Sequence, residues 1–240
     1  MVTHPPRAGL AGRCFAVTGG LLFAGSLGYF LVAYGRYGEP AGPWTADGVR
    51  PLAWNTLLFT LFALHHSICA RTGLKAAISA RVSPPLERAV YVWISSLLFA
   101  VTLWAWAQVP GVPWQVTGSA SWLIHAGRAA GLLLTGVAAA ALDPLDLAGI
   151  RQAFGHPPPA AVFRTTGVYA LVRHPIYLGW VLLVWCVPVM TGTRLVFAAV
   201  STLYLVIAIP LEERQLRQTL GRTYDAYIAA VRWRMLPGVY

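Results

Sequence analysis

Two short clusters hold the side chains best suited to chemistry. The first is Arg173-His174-Pro175, followed by Tyr177 and Gly179 and then by a long apolar run. The second is the adjacent pair Glu212 and Glu213, where the last apolar run gives way to charge. Pro175 disfavours the helical conformation for His174, so the backbone must break just before the apolar run. A break at a membrane edge frees N–H and C=O groups that need partners in protein, water or ligand. Gly179 leaves room for a close approach, and Tyr177 offers a ring with a hydroxyl. Together these residues make a cradle for a polar ligand with an aromatic part. An interfacial belt of arginine and tyrosine would use the same residue types, and the spacing leaves both readings open.

Other candidates lie earlier in the chain. His65 and His66 sit at the inner end of an apolar run, and either could take a proton near neutral pH. Neighbours on a helix do not face the same way, so at most one is expected to be catalytic. Interhelical hydrogen bonding is an equally good use of the pair. Arg151 and Gln152 follow Asp146, which either orients Arg151 or caps a helix. No third histidine, cysteine or acid stands at a metal-ligand spacing, so no metal site is expected. Cys14, Cys69 and Cys186 are far apart, form no CxxC and read as small buried side chains.

The elements that must position these residues are apolar. Of 240 residues, 57% are hydrophobic and 11% charged, whereas a soluble domain carries about a quarter charged residues. The chain therefore falls in the membrane class, with the lipid bilayer as its first partner. The net charge of +10 comes almost wholly from arginine, Lys75 being the one lysine. These charges stand at the ends of apolar runs rather than on one solvated face, which argues against a nucleic-acid partner.

Apolar runs read at Cys14–Tyr34, Leu52–Ala70, Ala89–Gln108, Trp122–Leu142, Ile176–Met190 and Leu195–Leu211. A span needs about 20 helical residues. The last two runs are shorter and parted only by TGTR, so they predict a tight helical hairpin bent at Pro188, and five or six spans in all. The first run is too long for a signal-peptide core and reads as a retained span. With the N-terminus inside, the outer loops hold only Arg36, Arg50 and Arg194, and the remaining loop and terminal cations fall inside. By the positive-inside rule both termini are cytoplasmic. Gly127 and Gly131 form a GxxxG that lets helices approach, and Arg128 beside them snorkels or pairs within the bundle. The prolines of Gly155–Ala160 require a non-helical loop. After Leu211, charges interleave with Leu216, Leu220, Tyr224, Tyr227 and Val231, which predicts an amphipathic helix lying on the bundle or at the interface. The expected fold is thus an all-α, polytopic membrane bundle with a C-terminal amphipathic cytoplasmic helix.

The segment RHPIYLGW followed by LEERQLRQTLGRTYDAY resembles the cofactor-binding half of the isoprenylcysteine carboxyl methyltransferase superfamily. The likeness implies that Arg173, His174, Pro175, Tyr177 and Gly179, with Glu212, Glu213, Tyr224 and Tyr227, enclose S-adenosylmethionine at the cytoplasmic membrane face. One departure is Ala230, where the family carries a basic residue; Arg232 and Arg234 follow it. The stretches LHHSICAR, PPLERAVYV and DLAGIRQAF look like those of the membrane methanethiol S-methyltransferases, a bacterial branch of the superfamily.

That branch implies methyl transfer to a small thiol, methanethiol becoming dimethyl sulfide, in a bacterial inner membrane and with no obligatory protein partner. Residues 1–145 would shape the acceptor side and residues 146–240 the cofactor side. Arg151, His65 and His66 are then the catalytic candidates, since a thiolate is favoured by nearby cations and a thiol must lose its proton. Alternatives are a lipid-like acceptor such as an isoprenylcysteine carboxylate or an amine headgroup, a membrane NAD(P)H-dependent reductase, or a non-enzymatic membrane protein.

Overall fold

The computed structural model describes residues 7–43, 48–69, 81–156 and 164–240. Arg71, Lys75 and Pro157–Pro159 lie outside the described residues. The expected all-α membrane bundle is what the chain forms. Its helices are α1 (Leu10–Arg36), α2 (Val49–Cys69), α3 (Glu87–Trp104), α4 (Ala120–Ala140), α5 (Pro144–Leu147), α6 (Ile150–Ala153), α7 (Pro175–Trp185), α8 (Gly192–Leu220) and α9 (Arg222–Ala230). Two-residue strands β1 (Trp114–Gln115) and β2 (Val189–Met190) pair antiparallel, Trp114 opposite Met190. Among the described residues four stretches, Leu10–Arg36, Pro84–Trp104, Ala120–Ala140 and Gly192–Leu220, are long and apolar enough to cross a membrane. The run from Ile176 to Met190 is helical only over α7, whose 11 residues span about 16 Å. That is about half of a hydrocarbon core, so α7 does not cross by itself. Its chain direction changes at Cys186–Thr191, with Pro188 in the connection rather than inside a helix.

The chain divides into two compact units, and neither matches a half of the sequence. One contains 1–36, 53–107 and 142–162; the other contains 37–52, 108–141 and 163–240. In the first unit α1 lies along α3. Trp93 stacks on Phe15 and its indole N–H donates to the Phe15 carbonyl at 2.9 Å. Gly19 makes this possible, because a Cβ there would stand 2.7 Å from the Trp93 ring. The buried amide of Asn55 both donates to and accepts from the main chain of Ala107, each at 2.8 Å, tying α2 to the chain beyond α3.

In the second unit α4 and α7 pack backbone to backbone, as the GxxxG predicts. A Cβ on Gly131 would meet the Gly179 carbonyl at 2.7 Å, and Gly127 sits against Cys186. Indole N–H groups of Trp180 and Trp185 donate to Ser201 and Thr202, joining α7 to α8. The region after Leu211 departs from expectation. The charged residues do not start a new amphipathic helix; α8 runs on through them to Leu220. Its 29 residues span about 43 Å, so it outlasts a hydrocarbon core of about 30 Å. The break comes at Gly221, whose φ of 53° suits glycine. Helix α9 then folds back, burying Tyr224, Tyr227 and Val231 with Leu216, Leu220 and Ile228 around them.

Pro210, inside α8, cannot donate to the Val206 carbonyl four residues earlier. The Tyr240 hydroxyl donates to that carbonyl instead, at 3.2 Å. The chain's last residues are thereby tied to the middle of α8.

Candidate functional site

The backbone break at His174 has φ −122° and ψ 66°, outside the helical region, and α7 begins at Pro175. The groups freed by this break find protein partners. Arg173 N–H donates to the Trp233 carbonyl at 2.9 Å and His174 N–H to that of Arg234 at 2.8 Å. The segment after α9 is thus laid beside the Arg173-His174 pair, and the two stretches fix each other.

Side chains complete the link. The Arg173 guanidinium donates from Nε to Glu213 Oε1 at 2.6 Å, and from Nη1 to the carbonyls of Val231 and Arg232 at 2.7 and 2.9 Å. Arg234 Nε donates to the other Glu213 oxygen, Oε2, at 3.0 Å. His174 stands between the two carboxylates, its Nε2 at 3.4 Å from Glu213 Oε1 and its Nδ1 at 3.8 Å from Glu212 Oε2. Tyr177 donates its hydroxyl to Glu212 Oε2 at 2.9 Å. Its ring lies parallel to His174, 5.3 Å between centroids and 5° between planes. Arg173, His174 and Glu213 are buried, whereas the Glu212 side chain is 45% exposed. A carboxylate held by two guanidiniums retains its charge inside protein only because both oxygens are met by charged donors.

Of the two arginines that follow Ala230, Arg234 is the one that reaches Glu213. Arg232 instead lies over the Trp233 ring, 4.9 Å from its centre.

Other expected site residues have different surroundings. The space beside Gly179 is filled by α4, where a Cβ would meet Thr135 Oγ1 and the Gly131 carbonyl, so its room serves helix packing. Tyr224 and Tyr227 are buried in the α8–α9 core. Tyr227 donates its hydroxyl to the Tyr169 carbonyl at 2.7 Å, and Tyr169 donates to the Ala138 carbonyl at 3.2 Å. Burial pushes both the Tyr169 and Tyr227 phenols up to about 12. These tyrosines are neutral donors that brace the turn leading into Arg173.

In the first unit, Tyr91 of α3 joins the two histidines of α2. Its hydroxyl lies 2.8 Å from His66 Nδ1, and its ring stacks with His65 at 6.2 Å between centroids. The pair is therefore used for interhelical contact, as one of the two expectations had it. Arg151 is oriented by Asp143 and not by Asp146: its Nη2 is 2.5 Å from Asp143 Oδ2. Asp143 also caps α5, its Oδ1 accepting from the N–H groups of Leu145 and Asp146. Asp146 accepts from Gln152 Nε2 at 2.8 Å, and its carbonyl accepts from Arg88 Nε at 2.7 Å. Arg151 Nε and Gln152 Oε1 are buried without a hydrogen-bond partner among the described residues. Among those residues no three metal-binding side chains gather.

Sequence reasoning did not find Tyr91, Asp143 or Tyr240. Only Asp143 carried a local signal, since Asp-Pro is a common helix start.

Residues 129–223 match the family model described as phospholipid methyltransferase. A methanethiol S-methyltransferase 2 of Bradyrhizobium diazoefficiens is 36% identical, over 82% of this chain and 80% of its own length. Methanethiol S-methyltransferases of Pseudomonas deceptionensis and Mycobacterium tuberculosis are 37% and 34% identical. The first match covers 79% of this chain and 77% of the relative, the second 82% and 87%. No solved structure matches the chain. With its apolar helices and the Arg173–Glu213 cluster inside the matched region, the chain belongs to the isoprenylcysteine carboxyl methyltransferase-type family of membrane methyltransferases, in the branch of the methanethiol S-methyltransferases.

Proposed function

We propose that this membrane methyltransferase transfers a methyl group from S-adenosylmethionine to a small thiol, with methanethiol the leading acceptor and dimethyl sulfide the product. The observation that carries the reading is the cluster of Arg173, His174, Tyr177, Glu212, Glu213 and Arg234, in a chain whose relatives are named for that reaction. Its donor set fits the cofactor. The exposed Glu212 carboxylate suits an ammonium or ribose hydroxyls, and the parallel His174 and Tyr177 rings suit a purine. Two arginines and two glutamates cancel in charge, so the cluster does not repel a sulfonium.

When bound, S-adenosylmethionine supplies an electrophilic methyl on sulfur. The chain's own task is to position a thiol and relieve it of its proton. Of the histidines, His66 meets Tyr91 through Nδ1; with the ring proton on Nδ1 and donated to the Tyr91 hydroxyl, Nε2 is the ring atom for a substrate proton. Arg151, with one buried N–H unmet, offers positive charge to a thiolate. An inner bacterial membrane with both termini in the cytoplasm is the matching location, and the bilayer concentrates an apolar thiol.

Calorimetry on the detergent-purified protein tests the cofactor. S-adenosylmethionine and S-adenosylhomocysteine should bind and NADPH should not; the opposite pattern would transfer the chain to the reductases. Headspace gas analysis after adding methanethiol tests the acceptor. Dimethyl sulfide no higher than in a His174→Ala plus Glu213→Ala control would require another acceptor.

A further inference from the structure

The charged end of α8 and the chain after α9 hold more cations than their acids can meet. Glu213 lies between Arg173 and Arg234, Glu212 beside Tyr177 and His174, and Asp225 3.4 Å from Arg217. Arg214, Arg222 and Arg232 are exposed and meet no carboxylate among the described residues. Depth along α8 separates these three. Arg214 follows Leu211, the last residue of the apolar run, by about 4.5 Å of helix. That places it within a headgroup layer about 5–7 Å deep. Arg222 comes after the end of α8 at Leu220, about 13 Å past Leu211, and so stands beyond that layer. Arg232 is brought back to the level of Glu213, because the Arg173 guanidinium that meets Glu213 also donates to the carbonyls of Val231 and Arg232.

The tail continues down to the apolar level. Met235 is buried with Leu205 and Ile209, and Leu236 and Tyr240 pack against them. The Tyr240 hydroxyl reaches the Val206 carbonyl, inside the apolar run, while Val239 is 79% exposed. At the upper end of this tail Arg232 lies over the Trp233 ring. Arginine and tryptophan above an apolar stretch suit a membrane–water interface.

We propose that residues 232–240 dock on the bilayer surface, where Arg214 and Arg232 bind the phosphates of acidic phospholipid headgroups. A negatively charged leaflet attracts each such arginine, and the guanidinium fork matches a phosphate. The docked segment supplies the Trp233 and Arg234 carbonyls that accept from the N–H groups of Arg173 and His174. Headgroup charge therefore steadies the turn that carries the buried cluster, whichever ligand that cluster takes.

Hydrogen exchange read by mass spectrometry tests the docking, on the full chain in bilayer discs of phosphatidylcholine alone or mixed with phosphatidylglycerol. Phosphatidylglycerol should slow exchange over residues 231–240 and 171–175, by about fivefold for each arginine engaged. Arg214→Gln together with Arg232→Gln should abolish that slowing, and Arg222→Gln should keep it. A wild type indifferent to phosphatidylglycerol would overturn the proposal, as would slowing that survives the double substitution or is lost equally in Arg222→Gln. In phosphatidylcholine alone the variants should exchange as the wild type does; faster exchange there would make the two arginines part of the fold and end the proposal. Glycerol phosphate added to phosphatidylcholine discs should change nothing. If it slows exchange as the lipid does, the arginines form a site for soluble phosphates and the docking is wrong.

Discussion

Around Arg173 the partners come from 40 to 60 residues away in sequence, whereas Arg151 and Gln152 find theirs within eight. The first arrangement is a network. One buried carboxylate joins two guanidiniums, a histidine and the main chain of two separate segments. The second is a set of single pairs, Arg151 with Asp143 and Gln152 with Asp146, on or beside short helices of which α5 is capped by Asp143. Removing one member of a network strands the others in a place without water, while removing one member of a partly exposed pair leaves its partner with solvent to turn to. The motif residues of the second unit therefore carry the architecture as well as any ligand contact. Those of the first unit sit in smaller, separate contacts, the histidines with Tyr91 and Arg151 with Asp143.

The difference can be broken most severely at Glu213. Glu213→Ala leaves Arg173 buried without its counter-charge, and a loss of about 3–5 kcal/mol is expected, read as a fall in thermal stability in detergent. Arg151→Ala should cost far less, and equal losses at the two positions would abolish the contrast. A middle-sized effect belongs to Asp143. It caps α5 and holds Arg151 at a backbone φ of 61°, the one positive value among the described non-glycine residues. Asp143→Ala should lose about 1–2 kcal/mol, and Asp143→Gly should lose less, because glycine accepts that φ. Unfolding curves for the two variants, ranked the other way, would show that the positive φ is not a source of strain.

The smallest effect is a slope. Native Tyr227 keeps its proton until pH about 12 because burial disfavours the phenolate, while the unfolded chain releases it near 10. The native state binds more protons across that window, so stability falls as pH rises through it. Tyr227→Phe should flatten the fall in a series of unfolding temperatures between pH 9 and 12. It should also lose about 1 kcal/mol at neutral pH for the missing bond to Tyr169. An unchanged slope would mean that burial of the α9 core does not govern this titration.

Several of these features were legible in the residues alone. Low charge and long apolar runs determined a membrane helix bundle, because covering a soluble surface needs side chains this chain lacks. Pro175 determined a break before α7 by its ring, whatever lies nearby. Gly127 and Gly131 marked the face on which α4 meets α7, since only small residues let two backbones touch. The position of Glu212 and Glu213 at the end of the apolar run also stood out as a candidate for ligand chemistry.

Other decisions belong to the tertiary structure. Sequence could not say that Glu213 is buried and Glu212 exposed, or that Arg234 pairs with Glu213 while Arg232 lies over Trp233. Neither could it divide Asp143 from Asp146, bring Tyr91 to His66 or send Tyr240 to the carbonyl that Pro210 leaves unmet. It also started the amphipathic helix just after Leu211, whereas α8 continues to Leu220 and only Arg222–Ala230 forms the separate helix, because alternating charge reads the same on a helix end as on a separate helix. The physical reason is common to all of these. Backbone preference and hydrophobicity are fixed by a residue and its neighbours along the chain. The partner a charge finds is fixed by distance and burial among residues that meet only once the chain has folded.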